Sequence, residues 1–476
     1  MNGDISTNIK KVFVVFLLCF LVIISYITYF ELYKAPDIAK SAYNKRLWAI
    51  RNEVLRGTIY DRNMTALTKS ERVNTETQKR TYTGGELFTH ALGYVDIKYG
   101  ITGLERKYDS ELMGTETEDI LTLIKNKGKA EEKIGDSLRT TLDSKVQRAA
   151  FDLLGDNRGA VVALNPKTGE VLALVSKPSY NPNNLSDIWE AINKDSNLPL
   201  INRATAGMYP PGSTFKTVTA VSALENIKDI KTRHFEDKGK LVFNSKESLS
   251  NFNGEVLGNI DFKQAYYESS NVFFGNVGME LGNDKLKNTA EKFYFNKLIP
   301  TDGIPIEASK FPSLKSYEKG NLAMTAIGQG QVLATPMQMA LVASAVANDG
   351  VIMEPYIVSQ VMDSKGKVVK NISPKSLSTV MSKETDSTMK DLMRAVVTSG
   401  TGTDAAIPGV NVCGKTGTAE HDDKPNENEP PHSWFIGFAP YENPQVAVAV
   451  IVEDGGQGGG IAAKIAGQVM KAALGK

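Results

Sequence analysis

The succession of segments predicts an α+β fold: an antiparallel sheet flanked by helices, with a helical lobe inserted into it. Three observations carry this. Near-continuous apolar runs at 159–164, 170–176, 433–438 and 445–452 read as strands, the last of them buried on both faces. Between the second and third lies a long region rich in helical spacing, beginning after Gly212. A final helical pattern, 461–474, closes the sequence. Ahead of all this stand an uncharged N-terminal run and an extended, mixed segment.

The chain has 476 residues, 41% hydrophobic and 23% charged, enough for two or three domains. A formal net charge of +1 implies no polyanionic partner, so nucleic acid is not expected. The two cysteines, Cys19 and Cys413, are too differently placed to predict a disulfide, and their spacing suggests no metal. Among four histidines, only His421-Asp422-Asp423 looks metal-like, and its polar, Pro-rich setting favours a solvated loop.

Residues 12–30 carry no charge over a length that spans a bilayer core. Lys10 and Lys11 before the run, and the long chain after it, place the N-terminus in the cytoplasm and the body outside. A small-x-small cleavage site does not follow, which favours an uncleaved anchor over a signal peptide. Residues 31–56 suit a stalk. Arg56-Gly57-Thr58-Ile59-Tyr60-Asp61-Arg62-Asn63 reads as a short strand entering a turn, and Gly100 to Gly114 as one helix with Leu104, Tyr108 and Leu112 on a face. Both segments are expected to serve packing.

The segment 125–135 reads as a hairpin tip or linker. Leu138 to Asp143 is a strand ending at an Asp helix cap, followed by a helix carrying Val146, Ala149, Ala150 and Leu153. Two strands, 159–164 and 170–176, enclose the turn Asn165-Pro166-Lys167-Thr168-Gly169. A Pro- and Asn-rich loop leads to Tyr209-Pro210-Pro211-Gly212-Ser213-Thr214-Phe215-Lys216-Thr217. The two prolines and the glycine stop what precedes them, and Phe215, Val218, Val221 and Leu224 then recur at helical spacing. Residues 226–260 are polar with short strand-like pieces, and 261–279 read as one helix. Helical stretches at 323–347 and 389–397 flank short strands at 350–380. The run 410–420 reads as an exposed edge strand, followed by a mobile polar loop over 421–432.

Ser213 sits at a helix start with Lys216 about one turn on, on the same face. A serine hydroxyl is a poor nucleophile, and a desolvated neutral amine beside it can take its proton. The helix N-terminus adds positive character where an oxyanion would develop. The local chemistry suits acyl transfer through a serine ester. The spacing alone is weak: Ser316/Lys319, Ser364/Lys367 and Ser387/Lys390 repeat it in polar stretches. Two further motifs lift it, Ser269-Ser270-Asn271 and Lys415-Thr416-Gly417-Thr418. These too have decoys, Ser179-x-Asn181 and Lys167-Thr168-Gly169. In this order, and each in its local setting, the three form the S-x-x-K, S-[DS]-N, K-T-G set of serine β-lactamases and penicillin-binding proteins. The plain readings are a helix cap for Ser213, helix-end caps for Ser269 and Asn271, and an ordinary strand residue for Thr416.

Over essentially its whole length the chain resembles the class B penicillin-binding proteins, membrane-anchored D,D-transpeptidases of peptidoglycan. Arg56–Asn63 and Gly103–Gly114 are similar to that family's pedestal signatures. The 159–176 hairpin, Pro-Pro-Gly-Ser-Thr-Phe-Lys, Gly400-Thr401-Gly402 and His432–Phe438 are similar to its transpeptidase domain. The resemblance implies a penicillin-binding, serine β-lactamase-like domain over 138–476, a pedestal over 31–137, a transmembrane helix over 12–30 and a cytoplasmic tail over 1–11. It implies that Ser213 attacks the penultimate D-Ala carbonyl of a stem peptide, with Lys216 as general base. Ser269 would relay a proton, Asn271 would hold the substrate amide, and Lys415, Thr416, Gly417 and Thr418 would bind the substrate carboxylate end. The backbone N–H groups of Ser213 and Thr418 would form the oxyanion hole. Neither metal nor organic cofactor is called for. β-Lactams would acylate the same serine and persist, and a SEDS-type polysaccharide polymerase is the implied membrane partner. A D,D-carboxypeptidase, a class D-like β-lactamase and a catalytically silent scaffold are the competing readings.

Overall fold

Val446–Val452 is apolar at every position, and a strand with no polar side must be covered on both faces. In the computed structural model of the chain it is the middle of a five-stranded sheet. The structure describes residues 3–34, 48, 52–74, 77–114, 133–245, 247–420 and 430–476. The sheet order is Cys413–Ala419, His432–Ala439, Val446–Val452, Gly159–Leu164, Val171–Lys177, every neighbour antiparallel. Side chains alternate across it. Val448, Val450 and Val452 join Phe435 and Val161 under the helices Ser144–Leu154 and Ile461–Ala473, while Ala449 and Ile451 join Ile436 and Val162 under Pro336–Ala347. Each buried Val or Ile side chain contributes roughly 1.5–3 kcal/mol of transfer free energy. Asp143 caps the 144–154 helix as the sequence predicts, accepting from the backbone N–H groups of Lys145 and Val146.

The helical lobe consists of Lys216–Asn226, Phe262–Tyr267, Asn271–Lys292 and Lys319–Ala326, with the short strand pairs 235–237/258–260 and 240–242/248–250 between the first two. The single helix expected over 261–279 is two. The break falls at Ser269, whose φ of +62° lies in the left-handed region. For a residue with a Cβ this costs on the order of 1–3 kcal/mol and persists only where surrounding contacts fix it. The helix expected over 100–114 is likewise two short ones, Gly103–Lys107 and Asp109–Leu112, hinged at Tyr108; Leu104, Tyr108 and Leu112 are all buried as the spacing predicts.

A second sheet, in the order Ile59–Tyr60, Ser137–Thr140, Val358–Met362, Val368–Asn371, ties the N-terminal segment to the C-terminal one. Ile59 pairs in parallel with Leu138, so the 137/138 division falls inside a strand rather than in a linker. The pedestal signatures meet around one carboxylate. Glu105, fully buried, accepts from Arg56 Nε at 2.6 Å, Arg80 Nε at 2.8 Å and the Tyr82 hydroxyl at 3.3 Å; Arg56 Nη1 also reaches Asp109 at 2.6 Å. This is the packing role expected of Arg56 and of 103–114. The predicted hairpin tip or linker at 125–135 lies mostly outside the described residues.

Among the described residues one helix, Ile9–Lys34, is long and apolar enough to cross a membrane. Its 26 residues give about 39 Å at 1.5 Å each, more than the ~30 Å hydrocarbon core. The helix begins at Gly3, inside the tail expected before the span.

Candidate active site

Pro210-Pro211-Gly212 delivers the chain into a 3-10 turn, Gly212–Phe215, which passes directly into the helix Lys216–Asn226. Gly212 has φ +52°, and a Cβ there would lie 2.5 Å from the Thr418 carbonyl oxygen, so only glycine lets this turn sit against the motif strand. Gly328 backs it from the other side: Gly212 N–H donates to Gly328 O at 2.9 Å, and a Cβ on Gly328 (φ +77°) would lie 2.2 Å from Gly212 O. Trp434 Nε1 holds Pro210 O at 3.1 Å. Ser213 is half-buried, at the second position of the turn, and its hydroxyl does not cap it.

One turn on, Lys216 is fully buried. Its Nζ donates to Ser269 O at 2.6 Å and to Asn271 Oδ1 at 2.6 Å, and lies 3.3 Å from Ser269 Oγ. Lys415, also fully buried, donates to Ser269 Oγ at 2.9 Å and to Thr416 O at 3.1 Å. The first, second and third motifs therefore converge on Ser269, the residue whose left-handed backbone breaks the helix. Ser270, not Ser269 or Asn271, is the cap of the following helix, its hydroxyl accepting from Phe273 N at 2.9 Å. That leaves Ser269 and Asn271 to face the two lysines. Asn271 Nδ2 donates to Ser250 O at 2.9 Å.

Burial, and then the neighbouring ammonium of Lys415, carry the Lys216 amine well below its ordinary value of 10.5, while Asp237 opposes them in part. Burial pushes Lys415 down to about 7. Two ammonium groups on one serine hydroxyl repel, and Lys216 is the one that stays neutral. A neutral amine donating to Ser269 O and Asn271 Oδ1 keeps its lone pair free. Acylation should therefore be bell-shaped in pH. It rises as Lys216 loses its proton and falls above about 7 as Lys415 loses its own. A carboxylate bound beside Lys415 would stabilise its charged form, so at saturating β-lactam the alkaline limb should move to higher pH. Rate profiles at low and at saturating penicillin check this.

Cys413–Ala419 is the edge of the sheet, as expected, but it is not exposed: six of its seven residues are buried. The 212–215 turn, the helix Lys383–Thr398 and the 455–460 loop cover it. A Cβ on Gly417 would lie 2.8 Å from Thr214 Cγ2, and one on Gly458 would lie 2.2 Å from Gly417 O. Thr416 is more than a strand residue, since its hydroxyl shares a 2.6 Å hydrogen bond with Thr401. Thr418 Oγ1 accepts from Gly458 N at 3.3 Å. In the sequence Thr401 stands out only as part of Gly400-Thr401-Gly402, with no task. His421-Asp422-Asp423 and most of the polar loop lie outside the described residues. The decoy Lys167-Thr168-Gly169 is a turn beside the second sheet, and Ser179 donates to Glu86 O.

A serine at a helix start, a neutral buried lysine one turn on and a second lysine on a sheet edge define a serine–lysine acyl-transfer type of site. Comparisons with known proteins agree. The family model for the penicillin binding protein transpeptidase domain matches residues 159–471, and that for the penicillin binding protein A dimerisation domain matches 56–138. The chain is 33% identical over 492 residues to the peptidoglycan D,D-transpeptidase PbpA of Mycolicibacterium smegmatis, covering 98% of this chain and 99% of that protein. It is 31% identical over 441 residues to the peptidoglycan D,D-transpeptidase MrdA of Escherichia coli, covering 80% and 69%. Among solved structures, the penicillin G acyl-enzyme of Mycobacterium tuberculosis penicillin-binding protein A superposes with a TM-score of 0.80 at 31% identity, covering 88% of this chain and all of that one. A D,D-transpeptidase domain from Eggerthella lenta gives a TM-score of 0.79 at 36% identity, covering 89% and 99%. The chain belongs to the penicillin-binding protein transpeptidase family, in its class B form.

Proposed function

We propose that the protein is a peptidoglycan D,D-transpeptidase that cross-links stem peptides through an acyl-enzyme on Ser213. The observation that carries this is the convergence on Ser269 of Lys415 and of Lys216, the latter one helical turn after Ser213. Ser213 Oγ attacks the penultimate D-Ala carbonyl as its proton passes to the Lys216 lone pair, and the new oxyanion lies against the backbone N–H groups of Ser213 and Thr418. The terminal D-Ala leaves with a proton relayed through Ser269 Oγ. The amine of a neighbouring stem peptide then gives its proton back along the same route as it displaces Ser213 from the ester. Asn271 holds Lys216 by its oxygen and has a second Nδ2 hydrogen for the substrate amide. Lys415, Thr416 and Thr418 take the substrate carboxylate, a task suited to charge-assisted hydrogen bonds, and the side-chain-free Gly417 keeps the strand low enough for it.

A β-lactam acylates Ser213 in the same way, its lactam C–N bond breaking, but the leaving nitrogen stays tethered in the opened ring, so the ester persists. Water in place of the acceptor amine would give D,D-carboxypeptidase turnover as a side reaction. The apolar helix anchors the chain with its N-terminus in the cytoplasm and 31–137 as a pedestal below 138–476. That arrangement suits a SEDS-type polysaccharide polymerase as membrane partner.

The test is intact-protein mass of the chain in detergent after incubation with penicillin G, with peptide mapping of the adduct. A persistent adduct on the peptide containing Ser213 is expected. Rapid hydrolysis of penicillin without an adduct would replace the reading by a class D-like β-lactamase, and neither adduct nor hydrolysis in folded protein would make it a silent scaffold.

A further inference from the structure

The geometry points to Asp237 and Asn251 as positioning residues that set the Ser269-Ser270-Asn271 turn from outside it. This inference rests on the acyl-transfer reading above. Both residues belong to the polar 226–260 segment, in which no local pattern singles them out. Asp237 ends the strand Phe235–Asp237 and is fully buried, and Asn251 follows the strand Ser248–Ser250 and is 6% exposed.

Most of their bonds are spent on the turn and on each other; besides these, Asn251 Nδ2 donates to Glu255 O at 3.0 Å. Asp237 Oδ2 accepts from Ser270 Oγ at 2.5 Å. Its two oxygens accept from Asn251 Nδ2 at 2.8 and 2.9 Å, and Oδ1 also accepts from Gly239 N at 2.8 Å. Asn251 Oδ1 then accepts from the backbone N–H groups of Asn271 at 2.8 Å and Val272 at 3.0 Å. These two N–H groups open the helix Asn271–Lys292 and have no partner within it. One buried carboxylate thus orients the Asn251 amide, which receives the helix start, and receives the Ser270 hydroxyl, which caps it. Ser269 is left as the residue that must take φ +62°, with its carbonyl and hydroxyl turned to Lys216.

The arrangement also explains the middle letter of the motif. Where the S-[DS]-N pattern carries Asp, the turn brings its own carboxylate; here the position is Ser270, and a carboxylate from another strand meets it. Asp237 acts on charge as well as geometry. The charged or titratable groups facing Lys216 are Lys415 from the motif strand and Asp237 from the inserted strand; Tyr266, from the preceding helix, is held on Thr217 Oγ1 at 3.0 Å.

The test uses the whole chain in detergent, with the rate constant of penicillin acylation followed by intact mass across pH. Asp237→Asn has one acceptor oxygen where the parent has two, so Ser270 Oγ or Asn251 Nδ2 loses its partner. Acylation should fall between about tenfold and 10²-fold, the scale of a misplaced catalytic group. The acid limb of its pH profile should move to lower pH, because the negative charge that favours the Lys216 ammonium is gone. Ser270→Asp alone sets two carboxylates together and should also be slow. Combined with Asp237→Asn it returns a single carboxylate to the turn and should recover to within about threefold of the parent. Parent-like rates and pH profile in Asp237→Asn would overturn the inference. So would a double variant no faster than Ser270→Asp alone, a comparison that decides the matter even if Asp237→Asn alone does not fold. A parent chain that is not acylated at all would instead overturn the acyl-transfer reading, and this inference with it.

Discussion

Ser213→Ala is expected to abolish the penicillin adduct, while leaving thermal stability close to that of the parent. The side chain caps nothing in its turn and is half-buried, so its loss opens little space and orphans no helix N–H. Lys216→Ala should keep the nucleophile and lose its base. Acylation should then slow by 10²- to 10⁴-fold, the range in which a positioned general base contributes. Lys216→Arg should rescue nothing, because a guanidinium cannot be neutral near pH 7 and offers no lone pair. Intact-mass time courses with penicillin G distinguish all three. An adduct persisting in Ser213→Ala would move the nucleophile elsewhere, and a fast Lys216→Ala would remove Lys216 as base.

The largest effect on stability is expected at Glu105, far in sequence from the Ser213, Ser269 and Lys415 motifs. Its carboxylate is fully buried between Arg56 and Arg80. Glu105→Ala leaves two buried guanidinium groups without it, and breaking such a cluster on one side costs about 3–5 kcal/mol. Burial works to raise the Glu105 pKa, but Arg80 and Arg56 outweigh it and hold it below its ordinary 4.5. The carboxylate's contribution is therefore fully present above about 4.5 and is lost as pH falls through the lower, folded value. Hydrogen exchange should show the loss at amides of 56–112, with the acylation rate at Ser213 within about threefold of the parent, since all the partners of Glu105 lie within 56–109. Unchanged exchange in Glu105→Ala would show that the cluster does not hold the pedestal together.

Much of this was legible without coordinates. Strands buried on both faces announce themselves as unbroken apolar runs, and Val446–Val452 is where the sequence puts it. Asp143 is where a cap should be. The candidate site residues could be named because Ser213, Lys216, Ser269, Asn271 and Lys415 sit in short, ordered motifs with distinctive local settings. These are local properties: periodicity, a capping side chain, a proline–glycine stop. A few tenths to a few kcal/mol of local preference is enough to write them into the sequence.

What only the tertiary structure decided are the places where a distant contact overrides local preference. The periodicity of Phe262, Ala265, Tyr266, Val272 and Phe273 runs straight through Ser269, so the sequence reads one helix. The break exists because Asn251, some 20 residues earlier, receives the N–H groups of Asn271 and Val272, and the left-handed Ser269 makes up the difference. Cys413–Ala419 reads as an exposed edge because nothing local shows the turn and loop that cover it. Nothing in the polar 226–260 run marks out Asp237, and only its burial against Ser270 does so. The sequence by itself determined which residues stand as candidates for the chemistry. The tertiary structure decided how they face one another, because a buried polar group must find its partner wherever in the chain that partner lies.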